Sequence, residues 1–331
     1  MIRAALLLLC LAGPAGADPA ERAAALLADV PEASAAVVAT WTPETREIAV
    51  TGLRHAEGGP ARPEDAWHVG SLTKAMTATL AARLVADGRI GWDARVGDWL
   101  EADKGWRDVT LAELLTHRSG MAANLPRWRA ILRPARAGYV AFMLGSAPSG
   151  ERGAFLYSNA GYVVAGAMLE AAGGASWEDL IRAEVFDPLG MKGAGFDAPP
   201  DIRGHADGPV PPGPRADNLP AMGPAGTVHA TARDMLHFLA AHATRDPAFL
   251  PEGEWARLHA PVGDYAMGWN VSGGVLSHAG SNTLWFARVR VAPGRAAFVA
   301  VNAGAGADGT ARALSALSEA APPATPAAPR P

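Results

Sequence analysis

The segments that predict β-strands lie at the two ends of this sequence, with a largely helical middle between them. Residues 36–53 and 266–302 are rich in β-branched and aromatic side chains and are divided by Gly/Pro turns, which is typical of short strands. Residues 91–240 instead combine helical periodicity with Gly/Pro loops. This order predicts an α/β (α+β) fold: one antiparallel sheet from both chain ends, flanked by helices, with an inserted and mainly helical lobe.

The first 17 residues, MIRAALLLLCLAGPAGA, have the pattern of a secretory signal peptide. Arg3 supplies the charged start, residues 4–12 form a short apolar core, and Ala15-Gly16-Ala17 matches a cleavage site. The core is too short to span a bilayer, so no stable membrane anchor is expected. The pattern predicts a periplasmic or secreted protein. Its mature part would contain no cysteine, because Cys10 lies inside the signal.

The rest of the chain is expected to form one domain over residues 18–319, followed by a disordered Pro/Ala-rich tail at 320–331. The net charge is −4 and no basic patch is concentrated anywhere along the chain. These features argue against nucleic acid as a partner. The expected partner is a small-molecule or peptide substrate.

The tetrapeptide Ser71-Leu72-Thr73-Lys74 stands at the start of a helical run and contains one of only three lysines. Residues at i and i+3 share a helix face, so the amine of Lys74 can reach the hydroxyl of Ser71. A serine becomes a nucleophile when a nearby group takes its proton, and lysine does so only if its pKa is lowered. The alternative is a helix-capping serine followed by a solvated lysine.

Two further motifs follow in order along the chain. Tyr157-Ser158-Asn159 lies at a loop-to-helix junction, where a tyrosine hydroxyl can pass protons and an asparagine amide can hold both a lysine and a substrate carbonyl. Simple helix capping by Ser158 or Asn159 is the alternative, and it is compatible with the catalytic role. His278-Ala279-Gly280 ends a strand-like segment in the β-rich last third.

With these three motifs in this order, the sequence resembles the serine β-lactamase and penicillin-binding-protein superfamily. It is most similar to the branch with class C β-lactamases, D-Ala-D-Ala carboxypeptidases, D-aminopeptidases and related esterases. Flanking runs are also similar to that branch: VTLAELLTHRSGM at 109–121, FDPLGMKGAGF at 186–196, PAGTVHATARDMLHFL at 224–239 and YAMGWN at 265–270.

The resemblance implies a covalent acyl-enzyme mechanism and a β-lactamase/transpeptidase-like fold. Ser71 would be the nucleophile, and Lys74 and Tyr157 would share the acid and base work, in an order that the sequence leaves open. Asn159 would orient Lys74 and the substrate. His278 and Gly280 would line the substrate site, and the backbone N–H groups of Ser71 and Ser281 would hold the oxyanion.

Histidine at position 278 affects the choice of substrate. Many β-lactamases have lysine there, a fixed cation that binds a substrate carboxylate, whereas an unperturbed histidine gains charge only near pH 6.5. His278 therefore favours a peptidase or esterase over a dedicated β-lactamase, and it predicts faster reaction of carboxylate-bearing substrates near pH 6 than near pH 8. Arg288 or Arg290 could supply the missing cation. A class C-like β-lactamase and a non-catalytic penicillin-binding sensor remain as alternatives.

Other motifs give no cofactor or metal site. Residues 304–309 spell G-x-G-x-x-G, but a dinucleotide fingerprint needs a following strand and an acidic residue, and here one helix and the Pro-rich tail follow. No G-x-S-x-G or H-E-x-x-H occurs in the sequence. Substrate specificity is expected to lie in the loop regions 122–150 and 199–223.

Overall fold

The computed structural model describes residues 18–55 and 57–319, so the signal peptide and the tail predicted from the sequence lie outside the described residues. The strands are β1 Ala35–Trp41, β2 Arg46–Gly52, β3 Ala66–His68, β4 Gly195–Phe196, β5 Gly204–His205, β6 Pro209–Val210, β7 Val228–Thr231, β8 Tyr265–Ala266, β9 Trp269–Ser272, β10 Val275–Ser281, β11 Phe286–Ala292 and β12 Arg295–Val301.

Most helices lie between β3 and β8. The α-helices are α1 Pro19–Ala28, α2 Thr73–Ala86, α3 Val96–Trp99, α4 Leu111–Leu115, α5 Arg127–Ala130, α6 Arg136–Leu144, α7 Asn159–Gly173, α8 Trp177–Ile181, α9 Gly223–Gly226, α10 Ala232–Thr244, α11 Glu252–His259 and α12 Ala307–Glu319. Short 3₁₀ turns cover Gly70–Leu72 and Pro220–Met222, and a π-helical turn covers Arg182–Phe186. Within the described residues, no helix has the length and apolarity needed to cross a membrane.

The main sheet joins the two ends of the chain. Its order is β2-β1-β12-β11-β10-β9-β8, and every neighbouring pair is antiparallel. The N-terminal hairpin meets the C-terminal strand through the β1–β12 pair, in which Ala36 lies opposite Val301. The predicted α/β (α+β) architecture, with a sheet from both chain ends and an inserted helical lobe, is confirmed.

Both faces of the sheet are covered, which explains why β1 is apolar without alternation. Successive side chains of a strand point to opposite faces. Ala36 and Val38 pack in a cluster with residues of α1 and α12. Val37 and Ala39 belong to the larger core that also contains residues of α2 and α10. The terminal helices therefore cover one face, and the inserted lobe covers the other.

Helix α2 runs through the interior of the lobe. Eleven of its 14 residues are buried, including Lys74. A helix that is buried on all sides is built from apolar and small residues, and TKAMTATLAARLVA fits that requirement. The serine that precedes it, Ser71, is held in the 3₁₀ turn at its entrance. This rigid, buried helix fixes the positions of the serine and lysine.

The predicted long loop around 199–223 has more order than the sequence suggested. It contains the two-stranded β5–β6 hairpin and the 3₁₀ turn that leads into α9. The β5 strand is also attached to the chain ends, because His205 N–H donates to the carbonyl of Asn302 at 2.9 Å. The region is rich in proline and glycine, and its strands have only two residues each, so no strand pattern was visible in the sequence.

A pair of buried histidines lies behind α2. His242 Nδ1 and His259 Nε2 are 2.9 Å apart, and the rings pack against Trp255. Burial lowers the pKa of His242 well below its ordinary value and that of His259 to about 4. Both rings are therefore neutral in the folded protein at pH values where the unfolded chain would already bind protons.

We expect stability to fall as the pH is lowered from about 6.5 towards 4. In that window the unfolded state binds more protons than the folded state, so the free energy of unfolding drops by about 1.4 kcal/mol per pH unit for each such histidine. Urea denaturation at pH 7.5, 6.0 and 5.0 measures the slope. His259→Gln should reduce the slope, and an unchanged slope in that variant would contradict this assignment.

Candidate active site

Ser71 and Lys74 meet at the point where the sheet joins the helical lobe. Lys74 Nζ lies 3.0 Å from Ser71 Oγ and donates a 2.7 Å hydrogen bond to the carbonyl of Ala225, in α9. Ser71 makes no capping hydrogen bond, since Val69 occupies the cap position of its 3₁₀ turn. The lysine is fully buried, so the alternative of a capping serine beside a solvated lysine is wrong.

The surroundings of Lys74 favour its neutral form. Its ammonium would sit in an apolar interior, and burial lowers its pKa well below the ordinary value. Within the described residues, no carboxylate lies within ion-pair distance of Lys74. Its Nζ instead lies 5.0 Å from the Tyr157 ring centre and 5.6 Å from that of Tyr162. A neutral amine beside a hydroxyl can accept the proton of that hydroxyl.

Tyr157 reaches the same serine from the lobe, one residue before the cap of α7. Burial raises the pKa of its hydroxyl to about 12, while its hydrogen bond with Ser71 acts in the opposite direction. The phenol therefore stays protonated near neutral pH. Tyr157 is placed to donate or relay a proton rather than to act as a standing phenolate base.

The backbone around Ser71 is in close contact with β10. Gly70 has φ +51°, and a Cβ there would come within 2.5 Å of Ser281 N. Gly280 faces it, and a Cβ at that position would lie 2.7 Å from Ser71 N. Only glycines allow the two segments to approach this closely. The N–H groups of Ser71 and Ser281, predicted to hold the oxyanion, thus lie on adjoining backbone segments.

His278 is buried on β10 as part of a chain of hydrogen bonds. Ser158 N–H donates to His117 Nδ1 at 3.0 Å, and His117 Nε2 lies 3.2 Å from the Tyr265 hydroxyl. That hydroxyl lies 3.3 Å from His278 Nε2, and His278 Nδ1 lies 2.7 Å from the carbonyl of Ala279. A carbonyl only accepts, so Nδ1 of His278 carries its proton and Nε2 accepts from Tyr265.

His117 and His278 are both neutral near pH 7, because both are buried. Burial lowers the pKa of His278 to about 3; the charge of Arg288 acts in the same direction, as would a proton on Lys74. Burial likewise lowers the pKa of His117 to about 2. The expectation that His278 gains charge near pH 6 is therefore revised, because its side chain is enclosed rather than solvated.

His117 and Tyr265 were not among the predicted site residues, although both lie in segments that are similar to the family, at 109–121 and 265–270. His117 has a positive φ of 60°, which is uncommon for a residue other than glycine. Its ring contacts Tyr157 and Tyr265, with ring centres 4.2 Å and 4.8 Å away. The position of His117 at the end of the apolar, helix-like run TLAELLTH was the one sequence signal that could have indicated a role for it.

Asn159 is the first residue of α7, but its amide is engaged elsewhere. Its Nδ2 donates to Asn124 Oδ1 at 2.8 Å, whereas Lys74 is hydrogen-bonded to Ser71 and Ala225. The role of Asn159 towards the lysine and the substrate stays a prediction. The neighbouring Ser158 caps α7, with Oγ accepting from Gly161 N at 2.8 Å.

His68 and Asp217 support the turn that carries Ser71. His68 is fully buried on β3; its Nδ1 accepts from Gly70 N–H at 3.1 Å, and its Nε2–H donates to Asp217 Oδ1 at 2.7 Å. Asp217 belongs to the 199–223 region, so this contact attaches that region to the nucleophile turn. The His68 ring also stacks on Trp285, with ring centres 5.6 Å apart.

Asp217→Ala should lower the free energy of unfolding by about 1–3 kcal/mol, because it leaves a buried His68 N–H without an acceptor. Urea denaturation followed by circular dichroism measures the change. Asp207→Ala is the matched control, since Asp207 is an exposed carboxylate of the same region. Equal stability of the two variants would show that the His68 contact contributes nothing.

Arg288 and Arg290 do not reach this site. In the β10–β11 register Arg288 pairs with Ala279 and Arg290 with Ser277, so both arginines lie on the face opposite His278 and Gly280. They therefore do not replace the lysine that many β-lactamases have at position 278. Within the described residues, no cluster of three or more His, Cys, Asp or Glu side chains could hold a metal ion.

A sheet joined from both chain ends, an inserted helical lobe and a serine–lysine pair at their junction define a β-lactamase/transpeptidase-type fold. The chain belongs to the Beta-lactamase family, generally serine hydrolases, whose sequence model matches residues 21–321.

The chain is similar in sequence to proteins with different names. Penicillin-binding protein 4 of Amycolatopsis lactamdurans is 30% identical over 63% of this chain and 58% of its own length. Esterase EstB of Burkholderia gladioli is 30% identical over 61% of this chain and 63% of its own length. The chain thus spans less than two thirds of either relative. A β-lactamase/D-alanine carboxypeptidase structure from Pseudomonas syringae has a TM-score of 0.79 at 16% identity, covering 91% of this chain and 98% of that one.

Proposed function

We propose that this chain is an exported serine hydrolase that forms an acyl-enzyme on Ser71 with an amide, peptide or ester substrate. The observation that carries the proposal is the contact of Ser71 Oγ with the amine of Lys74, 3.0 Å away, fully buried and with a lowered pKa. A structural serine has no need of a desolvated amine, whereas a nucleophile needs a base within hydrogen-bond reach.

The proton path follows from the lowered pKa of Lys74 and the raised pKa of Tyr157. Ser71 Oγ attacks the substrate carbonyl carbon while its proton passes to the neutral Lys74 Nζ. Tyr157, protonated near neutral pH, donates its proton to the leaving nitrogen or oxygen and is reprotonated from Lys74. In the second half, water attacks the carbonyl carbon of the acyl-enzyme ester and gives a proton to the lysine–tyrosine pair. That pair passes a proton to Ser71 Oγ as the C–O bond breaks, which regenerates the serine hydroxyl and releases the acid product.

The developing oxyanion would be held by the N–H groups of Ser71 and Ser281. Their proximity is supported by the close approach of Gly70 and Gly280 to the facing backbone. Rigid backbone donors need no reorganisation during the reaction, and one such donor contributes about 3 kcal/mol to transition-state stabilisation. Gly280→Ala would force these two segments apart and should therefore reduce acylation more than substrate affinity.

The proposed types are D-Ala-D-Ala carboxypeptidase, D-aminopeptidase and esterase. The neutral His278 supports the D-aminopeptidase and esterase types most directly, because a D-Ala-D-Ala peptide carries a free carboxylate, as a β-lactam does. No cation stands at this position to bind the carboxylate of a β-lactam, and Arg288 and Arg290 lie on the other face of the sheet. The relatives bear the names of a penicillin-binding protein and an esterase, which agrees with this class. A class C-like β-lactamase and an acylated, non-catalytic sensor are the alternatives.

The ratio of kcat/KM for a carboxylate-bearing substrate to that for its neutral analogue should stay constant between pH 5.5 and 9. With a lowered pKa of about 3, His278 would bind a proton only well below this range. A matched peptide acid and peptide amide measure the ratio. His278→Lys is the contrast, because a retained cation would raise it. A wild-type ratio that increases towards pH 6 would contradict a neutral His278.

The reaction class can be tested on the purified protein with a short-chain p-nitrophenyl ester, nitrocefin and D-Ala-D-Ala peptides. The proposal expects steady turnover of the ester or the peptide. Faster turnover of nitrocefin than of both would favour the β-lactamase. One-to-one labelling by penicillin without turnover of any substrate would favour the sensor.

Export is part of the same proposal and rests on the predicted signal peptide. N-terminal sequencing of protein from the periplasm or medium should begin at Asp18. A retained Met1 in cytoplasmic protein would overturn it.

A further inference from the structure

Arg288 and Arg290 line a separate cavity of about 340 Å³ on the outer face of the sheet. The cavity lies between β10, β11 and α12, with Ser277, Asn270 and Ser315 also in its wall. It is behind the strand that carries His278, since alternate side chains of β10 face opposite ways. No aspartate or glutamate is among its lining residues.

The two guanidinium groups have no acidic partner. Other arginines, such as Arg54, Arg136 and Arg152, form ion pairs, but within the described residues none is formed by Arg288 or Arg290. The Nε of Arg288 is buried without a hydrogen-bond acceptor there, and its NH2 group donates to the carbonyl of Ala307 at 3.3 Å. The nearest acidic influence comes from Asp308, an exposed residue at the start of α12.

Two half-buried cations side by side repel each other unless an anion lies between them. Residues i and i+2 of a strand point the same way about 6.5–7 Å apart, which a small ion with several oxygens can bridge. Planar guanidinium groups bind carboxylate and phosphate oxygens bidentately. The serine hydroxyls and the Asn270 amide of the wall could add uncharged hydrogen bonds.

We propose that this cavity binds a small dianion whose charge is carried on oxygen, a phosphate group or a dicarboxylate, between Arg288 and Arg290. The site is distinct from the catalytic cleft and independent of the proposed reaction. His278 also contributes to the cavity wall, although its side chain is on the other face of β10 from the two arginines, so a bound dianion would offset the field of Arg288 at the third motif. Arg288 already acts on His278 through the strand, because its charge contributes to the lowered pKa of that histidine.

Titration calorimetry of the purified chain with inorganic phosphate, succinate and acetate tests the site, with ionic strength held constant by sodium chloride. We expect saturable binding of phosphate or succinate and binding roughly tenfold weaker for acetate, which has a single charge. Phosphate without succinate would identify a phosphate site, and the reverse a dicarboxylate site. Heats equal to those of sodium chloride for both dianions would overturn the proposal.

Arg290→Gln should weaken dianion binding by roughly tenfold or more, because one bidentate partner is lost. Arg290 has no ion pair in the described part of the chain, so the variant should fold, which circular dichroism can check. Arg295→Gln, which removes the same charge from β12 outside the cavity, should bind within about twofold of the wild type. Equal affinity of the Arg290 and Arg295 variants would assign the binding to net charge alone and overturn the site.

Discussion

Ser71→Ala is expected to lower acylation and turnover by roughly 10⁴-fold or more, since residual catalysis without the nucleophile comes from binding and the oxyanion donors alone. Mass spectrometry after incubation with a penicillin or a fluorophosphonate should detect one adduct on wild type and none on the variant. The fold should persist, because Ser71 makes no capping hydrogen bond. An adduct on another residue, with Ser71 unmodified, would falsify the assignment.

Ser281→Ala is the matched control for this experiment. Ser281 is a second serine of the same cleft, but only its backbone N–H is assigned a role. Its side chain accepts a 3.0 Å hydrogen bond from Thr283 N–H, which contributes about 1 kcal/mol to the local turn. The variant should therefore keep its adduct and most of its turnover. Loss of both would move the nucleophile assignment towards Ser281.

Lys74→Met should reduce kcat/KM by roughly 10³-fold or more while leaving the protein at least as stable as the wild type near pH 7. The methionine fills a similar volume but has no amine to desolvate, so the fully buried position favours it. Urea denaturation and ester hydrolysis measured on the same preparation give both quantities. A variant that loses activity only because it unfolds would contradict the second half of this prediction.

The pH dependence of that stability difference has a definite sign. The pKa of Lys74 is lowered in the folded state, so below the ordinary lysine pKa the unfolded chain binds a proton that the folded chain does not. The wild type is therefore penalised more at pH 7 than at pH 10. The gain from methionine should be larger at pH 7, and equal gains at both pH values would indicate a charged lysine in the folded protein.

Sequence patterns predicted the sheet and the three motifs because those depend on local periodicity and spacing. The i, i+3 placement of Ser71 and Lys74 on one helix is such a local property. The neutrality of His278 could not be predicted from the sequence, because it results from burial of the side chain in the folded protein. The Asn159–Asn124 hydrogen bond joins α7 to a loop 35 residues away, which no local pattern predicts.

Arg288 and Arg290 are a second example of the difference between what local sequence patterns predict and what depends on long-range contacts. Their alternation with buried Ala287 and Val289 indicates that both arginines share one face of a strand. Which face meets the catalytic cleft depends on the register with β10 and on the position of α12. Those are long-range properties of the chain, so the sequence left both arginines as candidates for the cleft.

The pairing of β1 with β12 has a consequence for how the chain is made. Hydrogen bonds from Ser34 and Ala35 to the Asn302 side chain connect residues that are 268 and 267 positions apart. Strand β1 pairs with β12, which is the last strand to be synthesised, so the sheet cannot form until almost the whole chain is made. Pairing of segments that are far apart in sequence slows folding. A ribosome would therefore release nearly the entire chain before the sheet could close. Such a delay would keep the nascent polypeptide unfolded, which is the state that the export proposed above requires.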